Sequence, residues 1–385
     1  MRRFRAASLV VAVSVVVAWS SAPLLIEPRL NSVRRPAPPP PSARAAALFS
    51  SLRTADLHAD SLLWRRDLLT RSRRGQVDVP RLLQGRSALQ VFGLVTQVPY
   101  PLRAANGTER DALRWLAPAE FWPLRAWRSP LQRALYQAAR LAAMADRSGG
   151  RLALVRSAAD LRALRSRQAA GEAVVGAILA TEGAQCLEGR LENLDSLFAA
   201  GVRMGSPSHF TDTQIGGSAH GRAAGGLTEL GRKWLAEMER RKMIVDVAHA
   251  SPKTVADVLR LAKRPVVVSH TGVRATCDNK RNLSDDQLRA VAKNGGLVGI
   301  GYWKLAVCGD DAAAAARAIK HAVDVMGAAH VALGSDFDGA VTMPFDASRL
   351  DALVSALLDA GLSDSQVRAV MGENVLRFLD RQLPP

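Results

Sequence analysis

Short apolar runs alternate with longer amphipathic segments from about residue 45 to the end of the chain. The apolar runs have the length and composition of buried strands. They predict strands at 87–95, 173–181, 202–208, 243–249, 264–270, 296–302 and 330–336, and a further strand that reaches His58. Helix-like segments lie between them, and those at 251–264 and 284–296 begin with a serine suited to capping a helix N-terminus. Continuous apolar strands separated by helices are typical of a parallel sheet covered on both faces.

Eight such units predict a (β/α)8 barrel, the TIM-type architecture of the α/β class. An open doubly wound sheet is the alternative, and it would place a glycine-rich phosphate loop after an early strand. The glycine-rich stretch at 216–226 instead lies in the middle of the chain and lacks the GxGxxG pattern. Residues 99–150 break the alternation of strand-like and helix-like segments, and they contain several prolines and tryptophans. We interpret them as an insertion with a long helix, acting as a lid or a contact surface.

The N-terminus begins with three arginines, followed by an uncharged run of 21 residues from Ala6 to Ile26. This run is long enough to span a bilayer, and it also fits a signal peptide cleaved after Ala22. Because Pro23 would follow the cut and hinder cleavage, we favour an uncleaved anchor over residues 1–26. Residues 27–44 then form a proline-rich linker, and 45–385 form the folded domain on the outer (periplasmic or extracellular) side of the membrane. Cleavage would make the protein secreted.

The formal net charge of +17 excludes little by itself, because its distribution is diffuse. Basic residues of the folded part are mostly arginines interspersed with acids, without a lysine-rich stripe, which argues against nucleic-acid binding. Attraction to acidic envelope polymers or anionic lipid fits this surface better. The chain has three cysteines and no CxxC pair, so a thiolate zinc site is not expected. Cys277 and Cys308 could pair in an exported domain, or all three thiols could be unrelated.

Titratable side chains stand at the carboxyl ends of five predicted strands. They are His58, Asp60, Glu182, His249, His270 and Asp336. In a (β/α)8 barrel these strand ends converge on one mouth, where active sites lie. Burying so many polar groups without a cation would be costly, and two divalent metal ions would offset that cost. Histidine, aspartate and glutamate without cysteine suit zinc or a similar ion.

Several motifs together resemble the membrane dipeptidase (renal dipeptidase) family, peptidase family M19, of the metal-dependent amidohydrolases. They are "DLHAD", "TEG", "GVRMGSPSHF", "RPVVVSHTGVRA", "RNLSDDQL" and "LGSDFDG". The resemblance implies a (β/α)8 barrel that holds two zinc ions. By position, His58 and Asp60 resemble the ligands of the first zinc, and His249 and His270 those of the second. Glu182 resembles the carboxylate that bridges them.

Three further residues take roles from the same resemblance. Asp336 resembles the acid/base that handles the proton, and His209 the substrate-contacting histidine that stabilises the tetrahedral intermediate. Arg281 resembles the arginine that holds the substrate carboxylate. The chain ends "RFLDRQLPP" without a hydrophobic tail, so any membrane anchor must be the N-terminal one. The family analogy also allows a homodimer.

The expected activity is therefore zinc-dependent hydrolysis of dipeptides, including substrates with a D-residue at the C-terminal position. The alternative within enzymes is a related amidohydrolase that acts on N-acyl amino acids or lactams, because the same metal pair would serve. A non-enzymatic envelope binding protein on a degenerate barrel is a third class. All six metal and acid/base residues are present, which argues against that class.

Overall fold

A curled sheet of parallel strands forms the centre of the protein, whose computed structural model describes residues 19–100 and 110–385. Within these residues the strands are β1 (Thr54–Ala59), β2 (Ser87–Val95), β3 (Leu152–Leu154), β4 (Val175–Glu182), β5 (Val202–Gly205), β6 (Ile244–Val245), β7 (Val267–Thr271), β8 (Leu297–Ile300) and β9 (Val331–Leu333). Their order is β6-β5-β4-β2-β1-β9-β8-β7, with β3 paired to the side of β4. This is the strand order of a TIM-like barrel, which confirms the predicted fold class.

The two ends of the sheet meet between β6 and β7. There the described backbone forms a single parallel bridge, from Asp246 to Val267, supported by the amide of Val247, which donates to the carbonyl of Val267 at 2.8 Å. The pairing of β5 with β6 is also short, at two residue pairs. We call this narrow junction between β6 and β7 the seam of the barrel.

Helices cover the outside of the sheet. The described helical segments are α1 (residues 19–30), α2 (Ala43–Ser51), α3 (Val79–Gln84), α4 (Leu113–Ala119), α5 (Pro130–Arg147), α6 (Ala158–Ala169), α7 (Asn193–Ala199), α8 (Glu229–Arg240), α9 (Pro252–Leu261), α10 (Asp285–Lys293), α11 (Lys304–Val307), α12 (Ala312–Met326), α13 (Leu350–Asp359), α14 (Asp364–Arg368) and α15 (Asn374–Gln382). The predicted serine caps are confirmed. Ser251 accepts from the amide of Thr254 at the start of α9, and Ser284 forms a capping box at the start of α10.

Two apolar clusters hold the strands and helices together. The larger joins strand residues such as Phe92 and Val298 to the apolar faces of the surrounding helices. The second joins other strand residues to α6 and α15, with Phe378 and Leu379 of α15 among its members. Burial of this apolar surface is the main stabilising term of the fold.

All eight predicted strands are present, and those predicted at 202–208, 243–249, 296–302 and 330–336 end earlier than predicted. The prediction at 87–95 agrees with β2, whereas the predicted strand at 243–249 is regular only at Ile244–Val245. It ends early because the carboxylate of Asp246 accepts from the amides of Ala248 and Ser269, each at 2.9 Å, and so turns the chain out of the sheet. Strand β3 was not predicted, since three residues are too few to show a pattern.

The interrupting region contains the long helix that the sequence predicts, since α5 has 18 residues. Before it, α4 and Trp122 pack into a small apolar cluster with Trp64 of the barrel mouth. Trp115, Phe121 and Leu124 are exposed. Residues 101–109 of this region lie outside the described residues.

Residues 1–18 of the predicted anchor also lie outside the described residues, so anchor and signal cleavage stay predictions. None of the helices in the described ranges has the length and hydropathy needed to cross a membrane. Part of the predicted linker contacts the barrel: Val33 forms a parallel bridge with Met343, and Leu30 packs beside α4.

Cys277 and Cys308 form a disulfide across 31 residues, which ties the loop after β7 to the end of α11. A loop of this length restricts the unfolded chain, so replacing both cysteines with serine should lower the free energy of unfolding by about 3–4 kcal/mol. The measurement is chemical denaturation of the double variant and of the wild type, each with and without a thiol reductant. Reductant should destabilise the wild type similarly and leave the double variant unchanged. Equal stability of all four samples would contradict the prediction.

Candidate metal centre and active site

Glu182, the last residue of β4, lies at the centre of a cluster of imidazoles. Its Oε1 atom is 3.1 Å from Nε2 of His249, 3.4 Å from Nε2 of His209, 3.5 Å from Nε2 of His58 and 3.6 Å from Nε2 of His270. The Nε2 atoms of His249 and His270 are themselves 2.9 Å apart. Parallel strands bring these residues together because each one stands at or just beyond a carboxyl strand end.

Two more carboxylates extend the cluster on the side of β1. His58 Nε2 is 3.2 Å from Oδ1 of Asp60 and 4.0 Å from Oδ1 of Asp336. Three groups have ligand atoms within 4.8 Å of one another: His58 with Glu182 and His270, Glu182 with His209 and His249, and His58 with Asp60 and Asp336. The groups share His58 and Glu182, so the candidate ligands form one continuous centre.

The chemistry of these side chains fits a metal ion. All of them are largely buried, yet Oε2 of Glu182, Oδ1 of Asp60, both ring nitrogens of His58 and Nδ1 of His249 have no hydrogen-bond partner among the described residues. Buried polar atoms are normally satisfied, and leaving several unsatisfied in one place is costly. A borderline-soft divalent cation takes this nitrogen and oxygen donor set.

Burial and mutual charge repulsion displace the pKa values in the centre. Burial, with repulsion from Asp60, raises the pKa of Glu182 well above its usual range, and burial raises that of Asp336 to about 8. Burial alone would lower the pKa of His58, but Asp60 and Glu182 overcome it and raise it to about 10. Burial lowers the pKa of the other imidazoles, His209, His249 and His270. In the metal-free centre, burial therefore favours the protonated forms of Glu182 and Asp336, and the neighbouring carboxylates favour the protonated form of His58.

Neighbouring groups orient two of the imidazoles. Nδ1 of His270 is 2.9 Å from the hydroxyl of Ser269, and Nδ1 of His209 is 3.3 Å from the carbonyl of Gln97. Such contacts on the far ring nitrogen leave Nε2 directed at the centre, as in known metal sites. Gln97 also lines a cavity of about 480 Å³ together with Gln185, Gln214 and Asp212, so this residue connects His209 to the cavity.

Asp56 is a positioning residue that the sequence analysis missed. Its buried carboxylate accepts from the amide of His58 at 3.0 Å and from the amide and hydroxyl of Ser335, each at about 3 Å. It thereby fixes β1 against the loop after β9 next to the site. The signal was present, since Asp56, His58 and Asp60 alternate along an otherwise apolar strand.

Two site residues have an unusual backbone. His249 and Asp336 both lie in the left-handed region, with φ of 61° and 62°. Residues other than glycine adopt it rarely, and such strain clusters at functional sites. Each of these side chains is thus aimed by a tight turn directly after its strand, and a β-branched residue could not take either place without added strain.

Arg281 lies at the edge of the centre, half-buried, in the loop after β7. Its guanidinium donates to the carbonyl of His270 at 2.7 Å. Burial lowers its pKa to about 10, although the charges of Asp336, Asp246 and Glu182 act against that decrease. The loop is braced by Asn282, whose side-chain amide donates to the carbonyls of Cys277 and Ala306. The Arg281 guanidinium therefore places a positive charge at the edge of the carboxylate cluster.

Two further acids near the site, Asp246 and Asp338, bind neighbouring protein groups: Asp246 accepts from backbone amides, and Asp338 from a hydroxyl, a guanidinium and an amide. Asp338 accepts from Ser61 at 2.6 Å, from Arg66 at 2.5 Å and from the amide of Gln76 at 2.6 Å. The structure thus places the six strand-end residues and His209 in one cluster, with Arg281 at its rim. His209 is near enough to Glu182 to be a ligand as well as a substrate contact, a possibility that the sequence analysis did not raise.

Comparisons with known proteins agree with this geometry. The family model described as membrane dipeptidase (peptidase family M19) matches residues 42–382. An uncharacterised protein from the pqqA 5′ region of Klebsiella pneumoniae is similar, with 32% identity over 248 residues, which are 60% of this chain and 89% of that protein.

Two solved structures show the same architecture. A metallopeptidase from Rhodobacter sphaeroides, bound to a phosphinate mimic of the dipeptide L-Ala-D-Ala, superposes with a TM-score of 0.72 at 25% identity and covers 86% of this chain and 99% of its own. The probable dipeptidase PvdM from Pseudomonas aeruginosa has a TM-score of 0.73 at 20% identity, covers 88% and 97%, and shows the fold.

Metal binding should strengthen as the pH rises. Ligation must displace the proton held by His58, with a pKa of about 10, and the charge of a nearby cation also favours loss of the proton from Asp336, with a pKa of about 8. Both folded-state pKa values lie above those of the unfolded chain, so the metal-free protein loses stability as pH rises through them. The difference in Tm between zinc-loaded and chelator-treated protein should widen from about pH 6 to about pH 9. A His321→Asn variant controls for binding to an imidazole outside the cluster. A constant difference in Tm would contradict the prediction.

Gly93 of β2 provides space for two of the candidate ligands. A Cβ atom at this position would lie 2.3 Å from Oδ1 of Asp60 and 3.0 Å from Cε1 of His58. Gly93→Ala should therefore displace both side chains and lower zinc affinity by about 10–100-fold. Gly225→Ala is the matched control, because its added Cβ meets nothing among the described atoms within 4 Å. Zinc titration of both variants measures the effect, and equal affinities would show that these two side chains do not hold the metal.

Proposed function

Because the chain belongs to the membrane dipeptidase family (peptidase family M19) and is a metallodipeptidase, we propose that it cleaves dipeptides with a free C-terminal carboxylate at a binuclear zinc centre bridged by Glu182. One observation carries the proposal: a single buried carboxylate oxygen lies within 3.1–3.6 Å of four imidazole nitrogens. A carboxylate so placed can serve two ions at once.

We assign the ligands to two sets that share Glu182. His58 and Asp60, from β1, would hold one zinc ion, and His249 and His270, from the two sides of the seam, would hold the other. Bound zinc supplies Lewis acidity, which polarises a carbonyl and lowers the pKa of water toward neutrality. The unsatisfied atoms of Glu182, Asp60 and His58 support this assignment.

Three residues carry the remaining chemistry. Asp336, which lies within 4.0 Å of His58 at the edge of the centre, takes the proton of the attacking water and delivers it to the leaving amine. Burial lowers the pKa of His209. This imidazole would stabilise the developing oxyanion through Nε2, which donates a hydrogen bond only in the form that carries a proton on that nitrogen. Arg281 grips the substrate carboxylate with its planar fork of N–H groups, which a lysine cannot reproduce.

A D-residue at the C-terminal position is part of the proposed substrate class. The similar metallopeptidase from Rhodobacter sphaeroides binds a mimic of L-Ala-D-Ala. A cavity of about 480 Å³ is lined by Gln97, whose carbonyl oxygen contacts His209, and its volume is enough for a dipeptide.

Export of the domain completes the proposal. The uncharged run Ala6–Ile26 supports an N-terminal anchor or signal, and the Cys277–Cys308 disulfide supports an oxidising compartment. The active site would then face the periplasm or the exterior. A homodimer remains a prediction from the family analogy.

The test uses the purified full-length chain, its zinc content and a substrate panel. L-Ala-D-Ala, L-Ala-L-Ala and N-acetyl-L-Ala separate a dipeptidase from an acyl-amino-acid hydrolase. Asp336→Asn should lower kcat by about 10²–10⁴-fold with zinc still bound. Arg281→Lys should raise KM by roughly 10–100-fold, whereas Arg289→Lys, whose partner Asp286 lies on the exposed face of α10, should change neither.

Each part of the proposal has its own contrary result. Turnover of the acyl substrate alone would overturn the substrate class. One zinc per chain after metal supplementation would overturn the binuclear centre. A wild-type kcat in Asp336→Asn would remove its role in proton transfer, and an unchanged KM in Arg281→Lys would remove the carboxylate contact.

A further inference from the structure

A short segment before the barrel packs against the loop that carries Asp336. We call residues 27–34 the N-terminal strap and residues 336–343 the acid/base loop. The side chain of Asn31 accepts from the amide of Ala340 at 2.8 Å. The amide of Met343 donates to the carbonyl of Ser32 at 2.9 Å, and the amide of Arg34 donates to the carbonyl of Met343 at 2.8 Å. The strap is thus paired with the loop through its backbone, as an added strand would be.

An ion-pair chain makes a second connection. Glu27 is 1% exposed, and its carboxylate lies 2.5 Å from Nε of Arg66 and 2.8 Å from Nη1 of Arg74. Arg66 in turn contacts Asp338 of the acid/base loop at 2.5 Å. Because all of Glu27, Arg66 and Asp338 are buried, removal of one charge leaves the next without compensation.

Gln76 makes the third connection. Its side-chain amide donates to the carbonyl of Ser32 at 3.0 Å and to that of Val341 at 2.8 Å. Its side-chain oxygen accepts from the amide of Asp338 at 2.8 Å. One side chain therefore touches the strap and the loop at the same time.

The acid/base loop depends on such support because its backbone is strained. Asp336, Asp338 and Ala340 have φ of 62°, 64° and 61°, so three non-glycine residues in five lie in the left-handed region. Conformations of this kind persist only where the surroundings hold them. The amides of Asp338 and Ala340 are held by Gln76 and by Asn31 of the strap.

We propose that the N-terminal strap is a positioning element of the active site, in which Glu27 and Asn31 hold the acid/base loop so that Asp336 faces the metal centre. The inference rests on the proposed role of Asp336. It adds residues outside the range 42–382 that the family model matches. The barrel alone is then an incomplete catalyst, and the segment that precedes it supplies part of the active-site geometry.

The test compares point variants of the full-length chain. Glu27→Gln and Asn31→Ala should each lower kcat by about 10–100-fold, since small displacements of a reacting group have effects of that size. KM and zinc content should stay within about twofold of the wild type. Glu27→Asp, which keeps the charge, should recover part of the loss. Arg29→Gln is the matched control, because Arg29 is an exposed charge of the same segment.

Hydrogen exchange gives a readout that does not need activity. Amides of residues 336–343 should exchange at least ~10-fold faster in Glu27→Gln and Asn31→Ala, while those of β8 and α12 stay protected. A lower Tm without a change in kcat or in the hydrogen exchange of residues 336–343 would show that the strap stabilises the fold only, and it would overturn the proposal. Loss of zinc together with kcat would overturn it too, since the strap would then support the metal ligands.

The two proposals fail in different ways. Wild-type protein that binds zinc but cleaves no dipeptide would overturn the proposed function, while faster exchange in the strap variants would still support the positioning of the loop. Active wild-type protein whose variants keep full kcat and a protected loop would overturn the strap alone.

Discussion

The burial of Glu182 among four imidazoles is the constraint on which the rest of the site depends. A carboxylate withdrawn from water into that position, beside Asp60 and Asp336, cannot remain charged without a nearby cation. In the metal-free site, the raised pKa values of Glu182 and Asp336 reflect the cost of burying their charges. A bound metal ion would replace the protons on these groups. The low dielectric of the barrel mouth disfavours an isolated carboxylate charge, and for the same reason it strengthens the attraction between a carboxylate and a cation. The barrel meets the constraint by gathering the ends of five parallel strands.

The loops after the strands determine the directions of the side chains in the site. His249 and Asp336 are aimed by left-handed turns, and Arg281 sits in a loop braced by Asn282 and by the Cys277–Cys308 disulfide. Asp56 ties the backbone of His58 to Ser335, which joins the first and the last loops of the site. Regular strands set the approximate positions of the ligands, and irregular backbone with buried hydrogen bonds sets their directions. Precision of this kind comes from supporting contacts rather than from the ligands themselves.

Sequence patterns predicted the barrel because apolar strands and capped helices are local features. The strand at 87–95 and the helix caps at Ser251 and Ser284 needed only neighbouring residues. The strand-end residues were recognisable for the same reason, since each follows its own apolar run. The contacts of the strap were not, because Asn31 and Ala340 are 309 residues apart and the surrounding prolines indicated a linker. Asp56 was overlooked although it alternates with His58 and Asp60 along the strand, because that pattern does not show that its carboxylate binds the amides of His58 and Ser335.

The seam between β6 and β7 lies beside two of the candidate metal ligands, His249 and His270. The described backbone pairs β6 with β7 through a single bridge. His249 follows β6 and His270 lies near the end of β7, and their Nε2 atoms are 2.9 Å apart. Any fluctuation that parts these strands also parts the two imidazoles. In the proposed centre these two imidazoles hold one ion, and that ion would then link β6 to β7 across the short backbone pairing. In a metal-poor medium the folded protein would lose this link, so unfolding should begin more readily at the seam.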